Sequence, residues 1–437
     1  APVSAGGNAV RLNASAESIL QTAGNVITAR DLGARASGNV DLNGATNAVA
    51  GTFAAASTTA GVIEFQNGNG FTIGTVAAGH CFPATSGAIS QAGAVSLQAV
   101  SGDMTVTQNV TAGGGATATL QADMGSVTGM GTVTGTIVSI TAPDGIGTSL
   151  DSLDIQASTL ITDTSGNNGQ QFLSEPDGLS SVTLKAGGGN VTLTAGGAVT
   201  QAAGDVITAA GLELLGSGPY WLTQSGNDVS TLAAFTTGAI DYRDATSLVV
   251  GTVTGLGTAG VTSGGSDVAL HAAGLTISQA IVTGAGDLWL DSSAAVTQTA
   301  AITGEGLQLT GSGPFTLSDM ANDFTTLSAD TTGTIEYRDV DELAIGTVDV
   351  LGKLVSGIAS GGHDVALHTA GLTINEAVAT GVGDLRLDSS AAVTQTAEIQ
   401  GTGLQLTGSG PFILTALGND FAVLAAETAG TVEYVDS

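Results

Sequence analysis

Several separate blocks of this chain recur at one fixed offset, so whatever it folds into must repeat as well. The segment Asp267-Val-Ala-Leu-His271 and its continuation to Ile277 return at Asp364 to Ile374, 97 residues later. Gly311-Ser-Gly-Pro-Phe315 returns as Gly408 to Phe412, and Glu336-Tyr337-Arg338-Asp339 as Glu433-Tyr434-Val435-Asp436, at the same offset. An earlier copy lies 95 residues upstream, with Gly216 to Tyr220, Asp241-Tyr242-Arg243-Asp244 and Val250-Gly-Thr-Val253. A degenerate copy near the start keeps Glu64-Phe65 and Ile73-Gly-Thr-Val76.

A shorter beat runs inside the long one. Strand-like segments begin at Asp267, Asp287, Gly306, roughly Phe324, Leu343 and then Asp364, dividing the long repeat into five steps. Within a step apolar and polar residues alternate: Val268 and Leu270, Leu275 and Ile277, Leu288 and Leu290, Leu307 and Leu309. Alternation with period two, broken by Gly, Asn and Asp every few residues, reads as short strands joined by turns. Helical periodicity is missing, and Gly, Thr and Val are poor helix formers. The prediction is an all-β chain, a parallel β-helix (β-solenoid) of about 19–20 residues per coil with a 95–97-residue higher-order repeat. About 22 such coils, stacked ~4.8 Å apart, would make a rod of ~105 Å. The rival is a series of β-sandwiches, which also suits a repeat of this length. No copy carries the Cys–Trp–Cys core of that fold, and the inner beat is too regular for it.

The expected organisation is one continuous solenoid over 1–437. It divides into degenerate coils at 1–100, irregular coils at 101–184, repeats at 185–281 and 282–378, and a partial repeat at 379–437. Such a chain extends its core along one axis and so escapes the size limit of an ordinary domain.

Composition narrows the function. Eight Lys+Arg against 38 Asp+Glu give a net charge of −30, which argues against a nucleic-acid partner. With 42% hydrophobic residues the chain is too apolar for a disordered acidic tail. No apolar run is long enough for a membrane span. The lone Cys81 reads as a buried or inert thiol. Ala1-Pro2-Val3-Ser4-Ala5 fits a processed exported protein or a piece of a longer one, and scarce Cys and Lys also suit export.

The blocks Gly-Leu-Thr-Ile, Ala-Val-Thr-Gln at 295–298 and 392–395, Gly-Asp-Leu-x-Leu-Asp at 286–291 and 383–388, and Gly-Asn-Val-Thr-Leu-Thr at 189–194 resemble filamentous haemagglutinin-type repeats. The resemblance implies a secreted adhesin or exoprotein, built as a right-handed parallel β-helix whose coils have the length of the inner beat. No Pro follows Asn here, so the Asn-Pro-Asn of the two-partner secretion module is not expected in this chain.

Other motifs read as structure. Gly255-Leu-Gly-Thr-Ala-Gly260 matches a dinucleotide fingerprint but lacks the helix that would hold a pyrophosphate, so it reads as a turn. His271 and His368 occupy matching outward positions, some five coils apart, and with His80 and His363 read as surface residues. Asp241, Glu336 and Glu433 are assigned one column, and Asp244, Asp339 and Asp436 another, as periodic structural acids. Asn227-Asp228, Asn322-Asp323 and Asn419-Asp420 mark a recurring turn. No cofactor is expected beyond weak surface calcium. Outward Trp289, with Tyr220 and Trp221, is the aromatic candidate for contact with a glycan or partner.

The chain stops midway through a repeat at Tyr434-Val435-Asp436-Ser437, which suggests strand edges open to addition. The leading functional expectation is a non-enzymatic structural or adhesive β-solenoid, secreted to the extracellular cell surface. It would form or belong to a long fibre, pairing end to end with itself through Tyr434 and Val435 or with adjoining coils of a longer chain. The alternative is a carbohydrate-binding or polysaccharide-degrading β-helix that engages cell-surface glycans.

Overall fold

A computed structural model describes residues 1–437 as strands joined by turns and irregular segments, with no helix. The strands are short and almost all pair in parallel, as the alternating pattern requires, in about 21 turns of a β-solenoid. Two compact units are present, Ala1–Gly216 with Thr254–Leu256, and Ser217–Val253 with Gly257–Ser437.

In the first unit one ladder of partners runs Val40, Ile63, Val95, Ala118, Val138, Leu160 and Val182. Each of these side chains is buried on its equivalents above and below. The turns of this ladder are of similar length except for the step from Ile63 to Val95, which is clearly the longest. The extra length is an antiparallel hairpin that pairs Thr75–Val76 with Thr85–Ser86. It folds back against Ala54, burying Val76 and Phe82. Gly33 makes room for it, since a Cβ there would lie 2.6 Å from the Phe82 ring.

The second unit repeats the device. One ladder runs Ile240, Val268, Leu288, Leu307 and Leu327, and its first step is much longer than the others. The next, Ile335, Val365, Leu385, Leu404 and Leu424, likewise opens on its longest step. The long step of each ladder contains an excursion: a bridge of Thr252 with Ala259 in the first, a hairpin of Thr347–Val350 with Lys353–Ser356 in the second. The recurring Ile/Val-Gly-Thr-Val block opens all three excursions, and its last valine (Val76, Val253 or Val348) is turned inward and buried.

These registers correct the expectation of five equal coils. A long repeat consists of four turns, one lengthened by its excursion. A short link, Leu327 to Ile335 in one copy and Leu424 to Val432 in the next, then carries the chain one strand further round. Ile335 is therefore the sequence counterpart of Ile240 but lies on a different ladder. Its ladder runs back through Phe315, Val296 and Leu275 to Leu248. Asp241 and Glu336 accordingly do not share a column. Asp241 stacks under Ala269, Trp289 and Gln308, whereas Glu336 stacks over Thr316, Thr297 and Thr276.

The hairpin Thr347–Ser356 covers the outer face of its own unit. Gln308 is wholly buried beneath it. The Gln308 amide, oriented to satisfy both, donates to the carbonyls of Val348 (3.2 Å) and Lys353 (2.9 Å). At the hairpin tip the Leu351 N–H donates to Asp267 Oδ2 at 3.3 Å. Gly306 is needed for this approach, because a Cβ would come within 2.8 Å of Val348.

Candidate functional site

Parallel, in-register pairing stacks like-numbered positions about 4.8 Å apart, so outward residues of successive turns form columns. With Tyr242, Leu270, Leu290 and Leu309 turned into the core, Arg243, His271, Asp291 and Thr310 form one outer column. The next long repeat builds the same column from Arg338, His368, Asp388 and Thr407. Because the repeat moves one strand round, the two columns occupy different ladders of the second unit.

In the first column the His271 imidazole lies between two carboxylates, 3.2 Å from Asp241 by Nε2 and 3.0 Å from Asp291 by Nδ1. Trp289 packs edge-on against it with ring centroids 4.5 Å apart. Strand alternation places His271 at the surface, yet it is only 3% exposed. The indole and the two flanking side chains cover it, which alternation alone cannot register. Burial disfavours its charged form, but the hydrogen bonds to Asp241 and Asp291 outweigh that and raise its pKa. Asp291 is held below the usual carboxylate range, chiefly by its bond to His271 and further by Thr310. In the second column His368 Nδ1 lies 3.0 Å from Asp388, and the exposed Arg386 stands where the first has Trp289.

Beside each column is a shallow groove, of about 360 Å³ next to Arg243 and about 420 Å³ next to Arg338. Arginine, aspartate and serines line both. Neither arginine forms an ion pair, although both are half-buried in a strongly acidic chain.

The Tyr-x-Asp blocks beneath are structural. Tyr242 OH donates to Asp244 at 2.8 Å, and Tyr337 OH to Asp339 at 2.6 Å. The same carboxylates accept the backbone N–H groups of Val229 and Phe324. Burial raises the pKa of Asp339 and of both tyrosines. In the turns below, Asn227, Asn322 and Asn419 are buried and donate to the carbonyls of Leu222, Leu317 and Leu414. Carboxylate oxygens of Asp323, Asp339 and Asp341 lie within 4.8 Å of one another. The preceding copy has Thr246 in place of Asp341.

The aromatic candidates separate. Tyr220 is fully buried, which removes it as a surface contact: its strand Tyr220–Leu222 turns Tyr220 and Leu222 inward and leaves Trp221 half-exposed between them. Trp289 is half-buried, and its indole N–H donates to Thr310 Oγ1 at 2.7 Å. Tyr434 and Val435 are half-buried. Of the two readings of Cys81, buried or inert, burial does not hold: the thiol is exposed, because it sits on the hairpin in the first unit whose apolar anchors are Val76 and Phe82. The segment 255–260 lies in an excursion with no helix.

The Arg–His–Asp–Thr columns were not recognised from the sequence. Their signal was present as Arg243, His271, Asp291 and Thr310 returning at Arg338, His368, Asp388 and Thr407, but pairing them needs the length of the excursion turn.

Residues 265–331 and 362–426 match a family described as repeats of unknown function (DUF5649). These two segments contain the histidine and aspartate of both columns. No curated protein and no solved structure gave a significant match.

Proposed function

We propose that this protein is a non-catalytic β-solenoid scaffold that works at the extracellular cell surface, forming or belonging to a long adhesive fibre. One observation carries the reading. Strand Asp420–Thr428 leaves Val423 61% and Leu424 43% exposed. Their counterparts one long repeat earlier, Thr326 and Leu327, pair onward with Ala344 and Ile345, and Leu327 is fully buried. That strand keeps the register of one that elsewhere receives another turn, so its outer edge is competent to pair with a second copy. The resemblance to haemagglutinin-type blocks and the scarcity of cysteine support the extracellular setting. A net charge of −30 repels side-by-side contact and so favours end-on growth. Any calcium held near Asp323, Asp339 and Asp341 would be a weak surface ion.

Negative-stain electron microscopy of natively purified protein tests the reading. Unbranched fibres many times longer than ~100 Å, the rise of about 21 turns, are expected. Uniform short rods at every concentration and salt would overturn it.

A further inference from the structure

We propose that the grooves beside Arg243 and Arg338 are two equivalent binding sites for a carboxylate-bearing sugar, one in each copy of the long repeat. The inference is independent of the fibre reading.

The arginines are the starting point. In a chain with 38 acidic residues, two half-buried guanidinium groups at matching places form no ion pair. The carboxylates beside them are already engaged. Asp244 accepts from Tyr242 and from the N–H groups of Val229 and Thr246, and Asp339 from Tyr337, Phe324 and Asp341. Asp291 and Asp388 are held by the histidines of their columns. Each arginine thus lines its groove with the paired N–H donors that suit a carboxylate.

The remaining lining suits the rest of a sugar. Ser293 and Ser312 in one groove, and Ser390 and Ser409 in the other, are exposed at the rim; each hydroxyl donates to a backbone carbonyl and leaves its oxygen to accept from a sugar O–H. Both volumes fall at the lower end of the range for small-molecule sites. The arginine, both aspartates and the rim serines recur between copies, whereas Ser225 of the first groove is matched by Met320 and Ala272 by Thr369. The neighbouring outward column also differs, with Asp241 and Trp289 replaced by Glu336 and Arg386. The net negative charge opposes long polyanions, so the fitting ligand presents one carboxylate per groove.

Isothermal titration of the full chain with glucuronate, glucose and inorganic sulfate tests the proposal. Glucuronate is expected to occupy two sites per chain at least tenfold more tightly than either glucose or sulfate. Arg243→Gln should remove one site and Arg338→Gln the other, with circular dichroism and melting temperature unchanged. Equal affinity for glucose and glucuronate would overturn the carboxylate assignment, and sulfate binding as tightly as glucuronate would overturn the sugar. Binding that survives the double substitution, or no binding at all, would overturn the site.

Discussion

Nδ1 of His271 lies 3.0 Å from Oδ2 of Asp291, and the ladder puts the two residues one turn apart with Asp241 one turn away on the other side. The imidazole is thus sandwiched between acids in a nearly solvent-free position, and its folded pKa is raised. A raised folded pKa means that the charged form stabilises the fold. That contribution is fully present below the unfolded value of about 6.5 and is lost as pH rises through the folded value. Chemical denaturation of wild type and His271→Gln between pH 5.5 and 9 should show a difference of about 1–3 kcal/mol at the acid end, shrinking as pH rises. A constant difference would mean that folding leaves the histidine's pKa unchanged.

Asp287 behaves in the opposite sense. Burial, then the charge of Asp267 and further those of Glu305 and Asp349, push its pKa up to about 6. A carboxyl whose folded pKa is raised loses stability as pH climbs from about 4 through 6, because ionisation is easier in the unfolded chain. Asp287→Asn should therefore raise the melting temperature at pH 7, and the gain should vanish below about pH 4. Thermal melts across that range decide it.

Gln308 and Gln405 are the same residue at the same place in two repeats, yet one is buried under the hairpin and the other is exposed. Gln308→Ala should cost about 1–3 kcal/mol and speed tryptic cleavage after Lys353, since it releases the Val348 and Lys353 carbonyls. Gln405→Ala should change neither. Equal effects would show that the hairpin is not held by this amide.

The outer edge at Val423 and Leu424 gives a fourth expectation. Val423→Lys with Leu424→Lys should shorten or abolish fibres seen by electron microscopy, while far-ultraviolet circular dichroism keeps its β signature. Fibres of unchanged length would place the growth contact elsewhere.

The residues themselves determined that this chain is a parallel β-solenoid with a long repeat. The inward faces of Leu270, Leu290 and Leu309 were legible as alternation, and the Ile/Val-Gly-Thr-Val block was legible as a recurring unit. Its meaning was not. That block opens an excursion of variable length, and only the ladders show how much chain it takes, from Ile240 to Val268 in one copy and from Ile335 to Val365 in the next. The repeat offset measures distance along the chain, whereas columns form by hydrogen-bonded register. Four turns and a short link fill each offset, so Asp241 and Glu336 part company and His271 comes to rest between Asp241 and Asp291. Sequence periodicity records which residues repeat; the tertiary structure decides which of them meet, because register is counted in strands and the excursions do not count.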